Sequence, residues 1–255
     1  MLLCIDIGNT NVTLGLYEGE TPGPRWRLAT DHERMPDEFA LEVLGLLGYS
    51  GLNAAAVKAA AIASVVPPLT GRWAEVCRRY LDCEPLVIDA SVNTGVRVLY
   101  EEPGAVGADR LVDAAAAYRL YGGPACIVDF GTATTFDALS ASGEYLGGAI
   151  APGIGIAADA LFQRTAKLPR VELARPPSAI GRNTVHSMQS GLLFGYVSLV
   201  EGMVTRFRAE LGPDMTVIGT GGLAELLARE TPVIQILAPW LTLDGLRMIY
   251  EMNRT

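Results

Sequence analysis

The sequence predicts an α/β protein made of two similar lobes, each a mixed sheet flanked by helices. Three observations support this fold class. A strand, polar turn, strand pattern occurs twice, at 4–17 and at 126–139, and an Asp-x-Gly triplet marks the turn of each copy. Each half then ends in a strand, a helix and a strand, an order that a right-handed crossover joins within one sheet. We therefore divide the chain into lobes at 1–115 and 116–255.

The two hairpin copies align at an offset of 123 residues, so that Asp6 matches Asp129 and Gly8 matches Gly131. After each triplet, apolar residues alternate with polar ones until the chain reaches a second glycine turn. Alternation bounded by turn residues is typical of β-hairpins. Each lobe is thus expected to begin with a hairpin that carries an aspartate at its first turn.

The second part of each lobe is a buried strand that ends in a proline or glycine turn, followed by a helical pattern and another strand. In the first lobe these segments are 60–68, 69–80 and 85–90, and in the second they are 215–222, 223–229 and 232–237.

Composition narrows the class of protein. The chain has 255 residues, of which 50% are hydrophobic, enough for a substantial core. Its net charge of −8 and the lack of any basic run exclude the charge pattern of nucleic-acid and anionic-membrane binders. No signal-peptide pattern or membrane-spanning apolar stretch is present. The cysteines form no CxxC pair, which favours reduced thiols and a cytoplasmic location; they are Cys4, Cys77, Cys83 and Cys126.

The two Asp-x-Gly turns suit a nucleotide polyphosphate if they face each other across a cleft. Glycine lets backbone N–H groups approach phosphate oxygens, and the carboxylates can hold the cation that offsets the phosphate charge. Alternatively, each aspartate only caps its turn and each glycine only permits a positive φ. The glycine turn at 219–222 is a third candidate, suited to the nucleoside end, or else a simple turn between strand and helix.

The stretch 106–122 is a candidate site for the acceptor of a phosphoryl group. Alanine-rich sequence from Ala108 onwards predicts a helix, with Asp109 and Arg110 in its first turn. As a functional pair, Asp109 would accept the proton of a substrate hydroxyl and Arg110 would clamp a carboxylate. The alternatives are an N-terminal cap or first-turn charge for Asp109, with Asp113 an equally good candidate, and a surface ion pair for Arg110.

The longest helical pattern, at 184–207, places small residues among large apolar ones. Small residues permit close helix packing, either within the core or against another subunit.

The sequence resembles the type III pantothenate kinases over nearly its whole length. The resemblance is carried by "DIGNTN", "SVVPPL", "YEEPGAVGADR", "DFGTATTFD", "GGAIAPG", "KLPRVEL", "GRNTVHSMQSG", "TGGLA" and "PWLTLDGL". Such kinases belong to the duplicated ribonuclease-H-like superfamily of sugar kinases, actin and heat-shock chaperones. The resemblance therefore implies the same two-lobed fold that the repeated pattern predicts.

The resemblance also implies a reaction and a set of site residues. The reaction is the ATP-dependent phosphorylation of pantothenate to 4′-phosphopantothenate, the first step of coenzyme A biosynthesis, with Asp109 as general base. Asp129 would ligate a monovalent cation, potassium or ammonium, while Mg²⁺ accompanies ATP. A homodimer is implied, in which Thr184 approaches the site across the interface. The implied ATP-binding residues are Asp6, Ile7, Gly8, Asn9, Thr10, Asn11, Val12, Thr13 and Thr132, and the implied pantothenate-binding residues are Tyr100, Gly107, Ala108, Asp109, Arg110 and Thr184.

Two other functions remain open at this point: a kinase of the same fold that acts on another small alcohol, and a non-catalytic nucleotide-binding regulator. An actin-like filament protein is a weaker third. Asp137 and His186 lie beside the motifs, and we expect ordinary polar contacts for both.

Overall fold

The computed structural model describes residues 1–89 and 91–254. The strands are β1 (Leu2–Ile7), β2 (Asn11–Glu18), β3 (Thr21–Ala29), β4 (Ala59–Ser64), β5 (Pro85–Val87), β6 (Arg97–Val98), β7 (Ala125–Phe130), β8 (Ala133–Leu139), β9 (Glu144–Pro152), β10 (Thr216–Thr220) and β11 (Ile236–Leu237). The helices are α1 (Pro36–Tyr49), α2 (Pro67–Tyr80), α3 (Ala108–Tyr121), α4 (Ile154–Arg164), α5 (Thr184–Leu211), α6 (Ala224–Ala228) and α7 (Leu241–Asn253), and single 3₁₀ turns occur at Ala54–Ala56 and Pro103–Ala105.

The chain forms two compact units. The first comprises residues 1–119 together with the C-terminal segment from Leu241, and the second comprises Leu120–Trp240. The predicted lobes divide at 115/116 and assign the C-terminal segment to the second lobe, so the units differ from the lobes in the placement of α7. The lobes describe the internal repeat, and their boundary stays a prediction.

The first unit contains a five-stranded sheet in the order β3-β2-β1-β4-β5. Strand β1 runs antiparallel to β2, where Asp6 pairs with Thr13, and parallel to β4, where Asp6 pairs with Ala63. The glycine turn predicted from alternation joins β2 to β3. The sheet is therefore mixed, as predicted.

The strands of the second unit follow the same order, β9-β8-β7-β10-β11. Strand β7 is antiparallel to β8, where Asp129 pairs with Thr135, and parallel to β10. Each sheet thus repeats a meander followed by a parallel pair, which confirms two similar lobes. The turn after β1 has three residues, 8–10, and the turn after β7 has two, 131–132.

The two faces of the first sheet carry different helices, because successive residues of a strand point to opposite faces. One face, with Leu3, Ile5 and Ile7 of β1, is buried against α1 and α2, where the Phe39 and Trp73 rings lie 4.8 Å apart. Helix α7 packs against β1, β2 and β4. In the second unit, α4 and α5 pack against each other and against β8.

Most of the predicted strands and helices are confirmed, but some of them begin or end at residues other than those predicted. The strand predicted at 85–90 is paired only over Pro85–Val87, and its last residue, Ala90, lies outside the described residues. The strand predicted at 232–237 is paired only at Ile236–Leu237.

All four cysteines are buried and form no disulfide in the described ranges. Within those ranges, no helix combines the length and apolar character that a membrane crossing requires.

Candidate active site

The turn after β1 is a tight loop with exposed polar side chains. The Gly8 N–H donates to the Asn11 carbonyl oxygen at 3.0 Å, which closes the loop around Asn9 and Thr10. Both of these side chains are exposed, while Asp6 is half-buried on the strand below. An exposed turn of this kind places polar side chains at the surface, where a ligand could lie against the loop.

Thr30, which follows β3, holds this loop in place. Its Oγ1 donates to the Gly8 carbonyl oxygen at 2.6 Å, and its backbone N–H donates to the Thr10 carbonyl oxygen at 2.9 Å. Sequence reasoning missed Thr30, because the contact depends on the pairing of β2 with β3, and no motif marks the residue.

Helix α3 begins where the alanine-rich pattern predicts, and it carries Asp109 in its first turn. The Asp109 Oδ1 accepts a hydrogen bond from the Arg110 N–H at 2.8 Å. Burial raises the pKa of the Asp109 carboxyl above its ordinary value, while the Arg110 N–H and guanidinium oppose the rise. The hydrogen bond is the kind that a capping aspartate makes at the start of a helix. A carboxyl with a raised pKa is also a better proton acceptor near neutral pH than an ordinary aspartate, as a general base requires.

Asp109 lies at the same edge of the first sheet as the turn after β1. Val65, which follows β4, donates its N–H to the Ile7 carbonyl oxygen at 3.1 Å. A Cβ on Gly107 would lie 3.3 Å from the Val65 Cγ1 and 2.5 Å from the Asp109 Oδ1. These contacts, from Ile7 through Val65 to Gly107, place the end of β1 and the start of α3 at one edge of the first sheet.

The other predicted acceptor residues of the first unit lie around this helix start. Ala108 is the first residue of α3, and Gly107, Ala108 and Arg110 are all half-buried. Tyr100 is 40% exposed and lies in the irregular stretch that leads to the helix.

In the second unit, Asp129 near the end of β7 is enclosed by glycine backbone. A Cβ on Gly131 would lie 3.2 Å from its Oδ2, and a Cβ on Gly221 would overlap its Oδ1. Gly221 has a φ of +91°, a conformation that glycine adopts without strain. The turn at 219–222 therefore folds over the Asp129 carboxylate, while Thr132 is exposed in the turn that follows β7.

This arrangement fits a cation bound through oxygen atoms. A carboxylate surrounded by backbone is the donor type that hard cations prefer. Among the described residues, no group of three or more His, Cys, Asp or Glu side chains could hold a metal ion. A cation at Asp129 would therefore meet fewer than three such side chains of the described residues.

Thr184 is the first residue of α5 and is exposed. Asn183 caps this helix by accepting the His186 N–H at 2.8 Å. Asp137 is buried and accepts hydrogen bonds from the Tyr145 hydroxyl at 2.7 Å and the Thr135 hydroxyl at 2.9 Å. The ordinary polar contacts expected for His186 and Asp137 are confirmed.

Comparison with known proteins gives consistent results. The family described as type III pantothenate kinase matches residues 2–206. A type III pantothenate kinase from Roseiflexus sp. (strain RS-1) is 53% identical over 255 residues, which cover 100% of both chains.

Solved structures resemble the chain in fold. A Campylobacter jejuni protein named for the Baf family of transcriptional activators has a TM-score of 0.65 at 20% identity, with 98% of each chain covered. The inorganic polyphosphate/ATP-glucomannokinase of Arthrobacter sp. strain KM has a TM-score of 0.52 at 13% identity, with 99% of each chain covered. These likenesses agree with a duplicated ribonuclease-H-like fold.

Proposed function

The chain belongs to the family of type III pantothenate kinases, and from this we propose that it transfers the γ-phosphoryl group of ATP to pantothenate. The product is 4′-phosphopantothenate, and the reaction is the first step of coenzyme A biosynthesis. The single observation that carries the proposal is the 53% identity to a type III pantothenate kinase over the full length of both chains. The placement of Asp109 beside the turn after β1 supports it.

In the proposed site, residues 6–13 surround the triphosphate of ATP, and Thr132 contributes from the second hairpin. Thr30 holds the turn after β1 in one conformation, because it donates hydrogen bonds to the carbonyl groups of Gly8 and Thr10. Mg²⁺ bound to ATP would offset the charge of the phosphates, and Asp6 is the acidic residue among residues 6–13 that could contact it.

Asp109 is the proposed general base. Phosphoryl transfer passes through a loose transition state, so the enzyme works mainly by positioning and by electrostatic stabilisation. Asp109 would orient the pantothenate hydroxyl and accept its proton as the bond to phosphorus forms. The carboxyl's raised pKa suits this role, since it increases the affinity of the base for the proton.

Arg110 is the proposed partner of the pantothenate carboxylate, because its planar guanidinium can make two parallel hydrogen bonds to a carboxylate. Tyr100, Gly107 and Ala108 complete the proposed acceptor site. Binding at Arg110 would fix one end of the substrate while Asp109 orients the hydroxyl at the other.

Asp129 is the proposed ligand of a monovalent cation, potassium or ammonium. The close approach of the Gly131 and Gly221 backbone to the Asp129 carboxylate supports this assignment, because it holds one negative charge at a fixed place in the second unit. When bound, the cation would add positive charge near the phosphates of ATP.

We also propose a homodimer in which Thr184 reaches the partner's acceptor site. Helix α5 supports this through Gly191, Gly195 and Gly202, which share one helix face and are exposed. A Cβ on any of the three would meet nothing within 4 Å. Such a face lets a second helix approach closely.

The buried thiols suit the reducing cytoplasm, where we place the protein.

One assay tests the proposed function. The purified protein is incubated with ATP, Mg²⁺ and pantothenate, with and without potassium, and the products are identified by mass spectrometry. We expect phosphopantothenate and a stimulation by potassium. Phosphorylation of another small alcohol in place of pantothenate, or ATP binding without phosphoryl transfer to any acceptor, would contradict the proposal and favour one of the two alternative functions.

A further inference from the structure

Helix α7 lies on the sheet face that also displays Asp6. Asp6 and Cys4 of β1 share this face with their partners on β2, Thr13 and Gly15. The Leu243 side chain of α7 fills the space above Gly15, where a Cβ would lie 2.7 Å from the leucine Cδ1. The helix therefore rests directly on the two strands that the phosphate-loop candidate connects.

Polar contacts anchor α7 to the same strands. The Tyr17 hydroxyl of β2 donates to the Asp244 Oδ1 at 2.6 Å, and the Arg25 guanidinium of β3 lies 3.9 Å from that oxygen. The Arg247 guanidinium lies 5.9 Å from the centre of the Tyr17 ring and pairs with Glu251 at 2.8 Å. Arg247 is only 7% exposed. Because these contacts join α7 to both β2 and β3, they restrict the rotation and the sliding of the helix on the sheet.

The opposite side of α7 touches the helix of the candidate base. A Cβ on Gly245 would lie 2.7 Å from the Val112 Cγ1 and would overlap the Val112 carbonyl oxygen. Val112 is fully buried in α3, three residues after Asp109. At Gly245 the backbone of α7 thus lies directly against the Val112 backbone of α3, where an added methyl group would have no room.

We propose that Gly245 is a positioning residue, which lets α7 hold helix α3, and with it Asp109, at a fixed distance from the strands of the phosphate loop. The inference rests on the proposed function, since it gives α7 a role in aligning the acceptor hydroxyl with ATP. Leu243 and Asp244 fix α7 to the sheet on one side, and Gly245 fixes α3 to α7 on the other.

This arrangement predicts a selective effect on the acceptor. An added methyl group at Gly245 must push α3 away from α7, because the Val112 carbonyl oxygen cannot rotate out of a helix. The turn after β1 has its own support from Thr30, so ATP binding is expected to persist. A displacement on the order of 1 Å between reacting groups can cost about 100-fold in rate.

The experiment compares Gly245→Ala with Gly45→Ala. Gly45 also lies within a helix of the first unit, but a Cβ there would meet nothing within 4 Å. We expect Gly245→Ala to lower kcat for pantothenate phosphorylation by about 10- to 100-fold, with the KM for ATP within about twofold of wild type. Gly45→Ala should keep wild-type kinetics. Two results for Gly245→Ala would overturn the proposal. One is a kcat within about twofold of wild type, and the other is a KM for ATP that rises by the same factor as kcat falls.

A second readout does not depend on the reaction. The Leu111 N–H donates to the Gly107 carbonyl oxygen at 3.2 Å in the first turn of α3, and hydrogen exchange reports the protection of this amide. We expect faster exchange at 108–112 in Gly245→Ala and unchanged exchange in Gly45→Ala. Unchanged exchange in both variants would contradict the proposed support of α3 by α7. If the wild-type protein does not phosphorylate pantothenate, the proposed function fails while this measurement still decides the contact.

Should Gly245→Ala not fold, Tyr17→Phe replaces it. This change removes only the hydroxyl that holds Asp244 and leaves the ring in place. We expect kcat to fall at least threefold with the KM for ATP unchanged; unchanged kcat would count against the role of α7.

Discussion

Thr30 donates a hydrogen bond from its Oγ1 to the carbonyl oxygen of Gly8 at 2.6 Å, so the end of one strand supports the turn between two others. The contact lets the turn after β1 keep its shape without a ligand. Its rigidity matters because an ordered loop loses less conformational entropy when ATP binds.

Replacement of this hydroxyl should weaken ATP binding. Thr30→Val keeps the shape of the side chain but removes the hydrogen bond, which is worth about 1 kcal/mol and so about fivefold in affinity. We expect the KM for ATP to rise by that factor with little change in the KM for pantothenate. Thr165→Val is the control, because that hydroxyl bonds to the Leu161 carbonyl oxygen at 2.7 Å. Equal kinetics for both variants would exclude the supporting role of Thr30.

Asp109→Asn should remove most of the turnover. The amide cannot accept the proton of the substrate hydroxyl, and loss of a general base typically costs about 10²- to 10⁴-fold in kcat. Binding of ATP, measured by calorimetry, should persist. Asp37→Asn changes an exposed aspartate in the first turn of α1 and should leave kcat unaltered. Near-normal turnover of Asp109→Asn would rule out Asp109 as the base.

The raised pKa of Asp109 also has a consequence for stability. A carboxyl whose folded-state pKa is raised stabilises the fold only below its unfolded-state pKa, and this contribution is lost as pH rises through the folded-state value. Asp109→Asn stays neutral, so its Tm should exceed that of wild type at pH 7. The difference should disappear below the ordinary aspartate pKa of about 3.9.

Glu84 provides a comparison in which the pKa of the carboxyl is lowered instead of raised. Its hydrogen bond from Arg78 lowers the pKa of the Glu84 carboxyl, so the stabilisation is present at neutral pH and lost on acidification. Glu84→Gln should therefore lower the Tm slightly at pH 7. Thermal unfolding of both variants at pH 7 and in acid checks the two signs, and a lower Tm for Asp109→Asn at pH 7 would be incompatible with its raised pKa.

Asp129→Ala should abolish activation by potassium. The variant loses the carboxylate that lies against the backbone of Gly131 and Gly221, and with it the negative charge that would hold the ion. Rates measured across a potassium titration would become flat. Asp214→Ala removes an exposed aspartate of the same unit and should retain the response. A normal potassium response in Asp129→Ala would disprove the assignment.

A mixing experiment tests the role of Thr184 in the proposed homodimer. In a mixed dimer of Asp109→Asn and Thr184→Ala chains, one acceptor site has an intact Asp109 and receives Thr184 from the partner. Random exchange between subunits should therefore restore about a quarter of wild-type activity. No gain over the separate variants would contradict a site shared between subunits, and light scattering that gives a monomer would exclude the dimer itself.

Local sequence signals predicted the elements that local physics determines. Alternation and glycine turns gave both hairpins, and the alanine run gave the start of α3 at Ala108. The length of β11 was overestimated, since only Ile236 and Leu237 pair with β10 and a strand's pairing depends on its neighbour.

Contacts between distant residues could not be predicted in this way. Helices α1, α4 and α7 were not assigned, and no periodicity in one sequence reveals that α7 covers the first sheet. Thr30, Val65 and Gly245 matter through residues that lie 22, 58 and 133 positions away, namely Gly8, Ile7 and Val112. Such pairs follow from the sheet order and the packing of helices rather than from a motif.

The position of α7 also determines when the first unit can be completed during synthesis. The ribosome produces residues 1–119 first, then the whole of the second unit, and only then the helix that covers β1, β2 and β4. Until residues 241–253 are made, β1, β2 and β4 lack the helix that packs against them, and an incomplete sheet of this kind favours aggregation. A chain that lacks residues 241–253 would therefore contain the second unit together with a first unit that has lost α7.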